Sequence, residues 1–167
     1  MKQLELSDVD CWTAETWCVP TALAAVSGVT PYVIVSMLSD IAADNGMYAA
    51  PKLAAGYNRK HWEQAIIRLG AAYTIRGDCS ISDLSGAKTI SEYLNESRSK
   101  TLQLVFCKRV DGAATHVFAM FGAEFVDVYT SGKVVSADPL LVPAEYSDFR
   151  VACVYELGAV TEVPEEI

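Results

Sequence analysis

The first half of the chain repeats its apolar residues at helical spacing, and the second half packs them into strand-like runs. Residues 20–27, Pro-Thr-Ala-Leu-Ala-Ala-Val-Ser, are small and apolar, carry a proline near the first turn and stop at Gly28, which predicts a short buried helix. Thr30-Pro31 supplies an N-cap and an N1 proline for a second helix, on which Val33, Ile34, Met37, Leu38 and Ile41 form one core-facing stripe. Asn45-Gly46 ends it, and a loop follows through 51–56. A third helix is predicted over 58–69, with Trp62, Ala65, Ile66 and Leu69 inward and Arg59, Lys60, Glu63 and Arg68 outward. The capping box Thr89-Ile90-Ser91-Glu92 opens a short fourth. The period then changes. Residues 102–107 are a dense run of β-formers, Asp111-Gly112 is a turn signal, and 115–121 is a second strand. Strands at 125–129 and 133–136 follow, joined through Ser131-Gly132, and 149–155 closes the sheet. Helices first and an antiparallel sheet second predict the α+β class rather than alternating βαβ units.

Length and charge bound this picture. A chain of 167 residues with 51% apolar and 20% charged side chains suits one compact soluble domain, with an ordered core over about 5–158 and a fraying acidic tail at 162–167. At this size folding hides about 70% of the surface the unfolded chain exposes, enough for a core without metal or cross-links. Thirteen Lys and Arg stand against 21 Asp and Glu, a net charge of −8, with no basic cluster, which disfavours nucleic-acid backbone binding. No window approaches the about 20 apolar residues of a membrane span, and the start MKQLELSDVD lacks a secretory signal pattern, so a cytoplasmic protein with no membrane partner is expected.

The five cysteines, Cys11, Cys18, Cys79, Cys107 and Cys153, are odd in number, show no CxxC spacing and have two histidines for company. That arithmetic argues against a disulfide framework and a four-ligand zinc site, and nothing in the sequence implies a metal or cofactor. Cys18 stands out because it precedes a helix. Its sulfur would face unsatisfied backbone N–H groups and the positive end of the helix dipole, which favour thiolate over thiol. Of the histidines, His61 falls at an exposed or half-exposed helix position, whereas His116 sits among apolar neighbours in the 115–121 strand. Asp127 interrupts the apolar run of the next strand. If the hairpin turns at Gly122-Ala123, His116 and Asp127 share a face of the sheet and the carboxylate can orient the imidazole. Asp138 is the fallback. The plainer alternatives are a core Cys18, a satisfied core His116 and an Asp127 that caps a turn. Cys79, Cys107 and Cys153 read as inert, and Cys11 as a possible second reactive thiol.

The segment Cys18-Val19-Pro20-Thr21-Ala22-Leu23-Ala24-Ala25-Val26-Ser27-Gly28, followed by Pro31-Tyr32 and a second helix, resembles the opening of papain-like-fold cysteine peptidases, above all compact phage-encoded ones and the leader peptidases of bacteriocin exporters. Arg59-Lys60-His61-Trp62, Thr115-His116-Val117 and Phe125-Val126-Asp127 continue the likeness, which covers about residues 11–155. The resemblance implies a papain-like fold with Cys18 as nucleophile, His116 as general base and later acid, Asp127 as orienter, and a thioester acyl-enzyme. It departs at Trp12, where the family's oxyanion hole often has Gln or Asn; the Cys18 backbone N–H and Thr16 are the remaining donors. The function so implied is a cysteine peptidase or isopeptidase, of phage origin and acting on a host protein or peptide in the host cytoplasm. An acidic surface would favour a basic partner. Two alternatives stand beside it: a cell-wall amidase or transglutaminase-like acyltransferase, and a catalytically inactive fold that binds or inhibits through Trp12, Trp17 and Tyr32.

Overall fold

The computed structural model describes residues 5–10, 18–46, 59–96, 99–137 and 142–159. It is an α+β structure, as the sequence predicts. Four helices, α1 (Cys18–Ser27), α2 (Pro31–Asp44), α3 (Arg59–Arg68) and α4 (Ile90–Glu96), accompany six strands: β1 (Ala71–Gly77), β2 (Leu102–Arg109), β3 (Thr115–Phe121), β4 (Glu124–Val126), β5 (Val135–Ser136) and β6 (Phe149–Ala159). The strands form one antiparallel sheet in the order β1-β6-β2-β3-β4-β5.

Both faces of the sheet carry a core, and strand parity decides which residue joins which. Leu104, Val117, Ala119 and Tyr155 meet Leu23, Ile34, Leu38 and Trp62 from α1, α2 and α3. Val105, Phe118, Met120 and Phe125 point the other way, toward Ile90 and Leu94 of α4. Burial from both sides is why β3 reads as an unbroken apolar run instead of an alternating one. The same logic holds for α1: it packs on α2 with one side and β3 with the other, so residues 19–26 are buried all round. Alanines at 22, 24 and 25 let its backbone lie close to the sheet. Among the described residues, no single helix is long and apolar enough to cross a membrane.

Several expectations shift by a few residues, each for a physical reason. Thr30 occupies the α2 N-cap and Pro31 its first position, but the threonine side chain makes no capping bond. The box at α4 forms in full: Glu92 N–H donates to Thr89 Oγ1 at 3.1 Å and Thr89 N–H donates to Glu92 Oε2 at 2.8 Å. β1 was not expected, because an edge strand exposed over most of its length shows no buried alternation. Its pairing with β6 extends that strand to Ala159, opposite Ala71. At the far end of β1, a Cβ on Gly77 would stand 2.7 Å from the Ala152 carbonyl oxygen, and φ is +90°, so both contact and backbone demand glycine. The expected strand 125–129 stops at Val126, and 133–136 shortens to Val135–Ser136. His61, expected at least half exposed, is buried at 2% exposure, since His61/Ala65 and Trp62/Ile66 form two inward (i, i+4) pairs and widen the buried face. The loop at 51–56 and the acidic tail lie outside the described residues.

The cysteine arithmetic needs correction. Cys79 and Cys153 form a disulfide, with Cα atoms 5.0 Å apart across 74 residues of sequence. An odd count excluded only a scheme that pairs every cysteine. The β1–β6 register puts Gly77 opposite Cys153 and so delivers Cys79, just past the strand end, to its partner. A bridge closing so long a loop is worth about 2–4 kcal/mol through the restricted unfolded chain. Urea unfolding with and without a reductant should show that loss, and the Cys79→Ala/Cys153→Ala double variant should be no less stable than either single one. Identical midpoints in both conditions would mean that the bridge carries no stability.

Candidate active site

The nucleophile candidate begins a helix. Cys18 is the first residue of α1, half-buried, with a thiol free of any disulfide. The N–H groups of the first helical turn have no intrahelical partner, so an anion forming beside Cys18 meets donors and the positive end of the helix. The α1 alanines hold this end against β3, the strand that carries His116.

His116 is 5% exposed and Asp127 1%, and their side chains are paired: imidazole Nε2 lies 2.6 Å from Asp127 Oδ2. The hairpin turns at Gly122-Ala123, with Phe121 opposite Glu124 and Ala119 opposite Val126, so the predicted parity is observed. Cys18 lies near enough to the imidazole to help raise its pKa. With Nε2 committed to Asp127, Nδ1 is the ring nitrogen left for the sulfur. Cys107 stands directly across the ladder from His116, and at this level the β2–β6 register shifts between Phe106 and Cys107.

Asp127 is also a turn cap, so the plainer reading and the functional one are both true, one oxygen for each. Its Oδ1 accepts the Val128 N–H at 2.5 Å and opens the 3-10 turn Val128–Thr130, while Oδ2 takes the imidazole. Asp127 N–H donates to Thr130 Oγ1 at 3.1 Å, and the Thr130 hydroxyl donates to the Lys133 carbonyl at 2.7 Å. Ser131, in the left-handed region at φ 56°, and Gly132, at φ 70°, bring the Gly132 N–H back onto the Asp127 carbonyl at 3.1 Å. The segment before Cys18 holds the same turn. Val9 N–H donates to the Gly132 carbonyl at 2.7 Å, Val134 N–H donates to Asp8 Oδ1 at 2.8 Å, and Ser7 N–H donates to the Ala25 carbonyl of α1 at 2.9 Å.

Electrostatics follow from this packing. Burial alone would depress the basicity of His116, but the charge and hydrogen bond of Asp127, with the Cys18 contact added, raise its pKa to about 10. The ring is therefore an imidazolium at neutral pH. Burial first, then the Asp127 and Cys18 charges, push the Cys107 thiol well above the ordinary range, so it stays protonated. Burial and the nearby Asp127 charge push the Tyr129 phenol up as well.

Of the residues singled out in the sequence, Cys18, His116 and Asp127 come together. His61 lies on α3, away from β3, and Cys11, Trp12, Thr16, Trp17 and Asp138 fall outside the described residues. Two supporting groups escaped the sequence reading. Thr130 was legible in principle, since Asp127-Val128-Tyr129-Thr130 has the spacing of a reciprocal cap. Tyr146, whose ring centroid is 4.6 Å from the imidazole, gave no local signal. Among the described residues, no group of three His, Cys, Asp or Glu side chains is arranged to hold a metal ion. Compared with known protein families, curated proteins and solved structures, the chain finds no match.

The His116 shift sets the sign of a pH effect. Its folded pKa is raised, so the stability it contributes is fully present below about 6.5 and is lost as pH rises through about 10. Urea unfolding of the wild type should weaken across that window with a slope of up to ~1.4 kcal/mol per pH unit from this group. Asp127→Asn should flatten the His116 part of that slope. Parallel slopes in the two proteins would show that Asp127 does not hold the proton on His116.

Proposed function

We propose that the chain is a cysteine hydrolase of papain-like type that cleaves a peptide or isopeptide bond, with Cys18 as nucleophile, His116 as general acid and base, and Asp127 as orienter. The observation that carries this reading is a buried imidazole bound through Nε2 to a carboxylate, with the free thiol of Cys18 at the start of α1 close enough to shift it. An antiparallel sheet bearing base and orienter behind a helix bearing the thiol also matches the resemblance noted in the sequence.

The chemistry follows from the protonation state. In the reactive form a Cys18 thiolate beside the His116 imidazolium attacks the scissile carbonyl carbon. The carbonyl π-electrons move to oxygen, where the Cys18 N–H at the start of α1 would be a donor for the resulting oxyanion. Collapse breaks the C–N bond, His116 gives its proton to the departing amine, and a thioester remains. His116, now neutral, takes a proton from water, whose oxygen attacks the thioester; the acid leaves and the Cys18–His116 pair is restored. Asp127 keeps Nε2 protonated throughout, so the ring always offers the same face to the sulfur. The protein or peptide substrate would be a host protein if the chain is of phage origin, in the host cytoplasm. The net charge of −8 favours a basic one through steering.

Digestion of proteome-derived peptides, read by mass spectrometry, should give discrete cleavage products. Cys18→Ala should abolish them, and Asp127→Asn should reduce their rate about a hundredfold or more. Added hydroxylamine should divert the product to the hydroxamate, the signature of a thioester. Cleavage that survives Cys18→Ala would remove the thiol from the mechanism.

A binding role without catalysis has one specific observation in its favour: Tyr32 and Val33 on α2 and Ile67 on α3 are large apolar side chains more than half exposed to solvent.

A further inference from the structure

The three proposed site residues leave one face of the imidazole unexplained. Tyr146 covers it: the two rings have centroids 4.6 Å apart and planes inclined at 38°. The tyrosine ends the 3-10 turn Ala144–Tyr146, where its N–H donates to the Pro143 carbonyl at 3.0 Å. Its own ring is held from two sides, by Tyr129 at 5.4 Å and Phe149 at 5.6 Å. Phe149 also meets the imidazole edge-on, at 6.0 Å and 70°. His116 thus sits in an aromatic pocket whose closest wall is a tyrosine brought from a different part of the chain than Asp127 and Cys18.

We propose that Tyr146 is a positioning residue for His116: its ring lies against the imidazole, fixes the plane in which the nitrogens reach Asp127 and Cys18, and stabilises the imidazolium by a cation–π contact. The inference rests on the reading of His116 as the acid–base partner of Cys18. A cation within about 6 Å of a tyrosine centroid is attracted to the ring face, more strongly where water is excluded. The other titratable groups around the imidazole are Asp127 just past β4, Cys18 from α1 and Cys107 from β2, with Tyr129 of the 127–130 turn behind the Tyr146 ring. Asp127 and a Cys18 thiolate supply negative charge, and Cys107 is a neutral thiol. Tyr146 acts on the face of the ring, where none of these bonds.

The test is the titration of the His116 ring signals by NMR in the wild type, Tyr146→Phe, Tyr146→Leu and Tyr146→Met, with thermal unfolding as a check on folding. Tyr146→Phe keeps the aromatic face and should keep the wild-type midpoint near 10. Tyr146→Leu should lower that midpoint by about one pH unit, the equivalent of a desolvated cation–π contact. Tyr146→Met should lower it too, and serves if the leucine variant fails to fold. A midpoint unmoved in the folded aliphatic variants, or lowered as far in Tyr146→Phe, overturns the proposal. The hydrolase reading is tested separately, because its failure appears as peptide cleavage that survives Cys18→Ala whatever the midpoints do.

Discussion

The structure is organised around one contact, the buried pair of His116 and Asp127. A carboxylate with 1% of its surface exposed cannot be left alone, since an unpaired buried charge costs several kcal/mol. Both oxygens are used, one on the imidazole and one on the Val128 N–H. That double duty explains the local chain. β4 ends at Val126 so that Asp127 can turn out of the ladder, Thr130 closes the turn behind it, and Ser131 and Gly132 take positive φ to return the backbone. Residues 7–9, which precede Cys18, are bonded to the same turn at Gly132 and Val134, and to α1 at Ala25. Helix, turn and strand are therefore set relative to one another by hydrogen bonds as well as by packing.

The sheet separates this chemistry from its main covalent constraint. The disulfide lies at the β1–β6 end of the strand order, whereas His116 lies on β3 and Asp127 just past β4. Near the bridge, Tyr155 is fully buried, stacks on Trp62 at 4.6 Å and donates its hydroxyl to Glu63 at 2.5 Å, anchoring α3 to the sheet. A helix end and a hairpin held by hydrogen bonds at one side of the sheet, and a cross-linked edge at the other, leave the Cys18 thiol half-buried while the strand that carries His116 stays fixed.

Much of this was legible in the chain, and the failures have particular causes. The three proposed site residues were readable because each breaks a local rule: a cysteine where a helix starts, a histidine inside an apolar strand, an aspartate in the strand beside it. Parity across Gly122-Ala123 then joined two of them. The β1 edge was missed because exposed strands carry no burial pattern. His61 was misplaced because an (i, i+4) pair with an alanine marks a buried face only weakly. The disulfide was misjudged because counting cysteines ignores register, and the pairing of Gly77 with Cys153 is a long-range fact. Tyr146 gave no sign at all, since nothing in its neighbours says that its ring will meet His116.

What sets Cys18 apart under the proposed chemistry is an imidazolium beside it that Asp127 keeps charged. Alkylation rates at Cys18 with iodoacetate and iodoacetamide, measured against pH and set beside a small free thiol, test it most directly. A protein of net charge −8 should repel the anionic reagent. The account predicts the reverse at Cys18: a several-fold preference for iodoacetate at neutral pH, fading as pH passes about 10, at lower pH in Asp127→Asn, and absent in His116→Ala. A ratio no higher than that of the free thiol, and flat across pH, would contradict it.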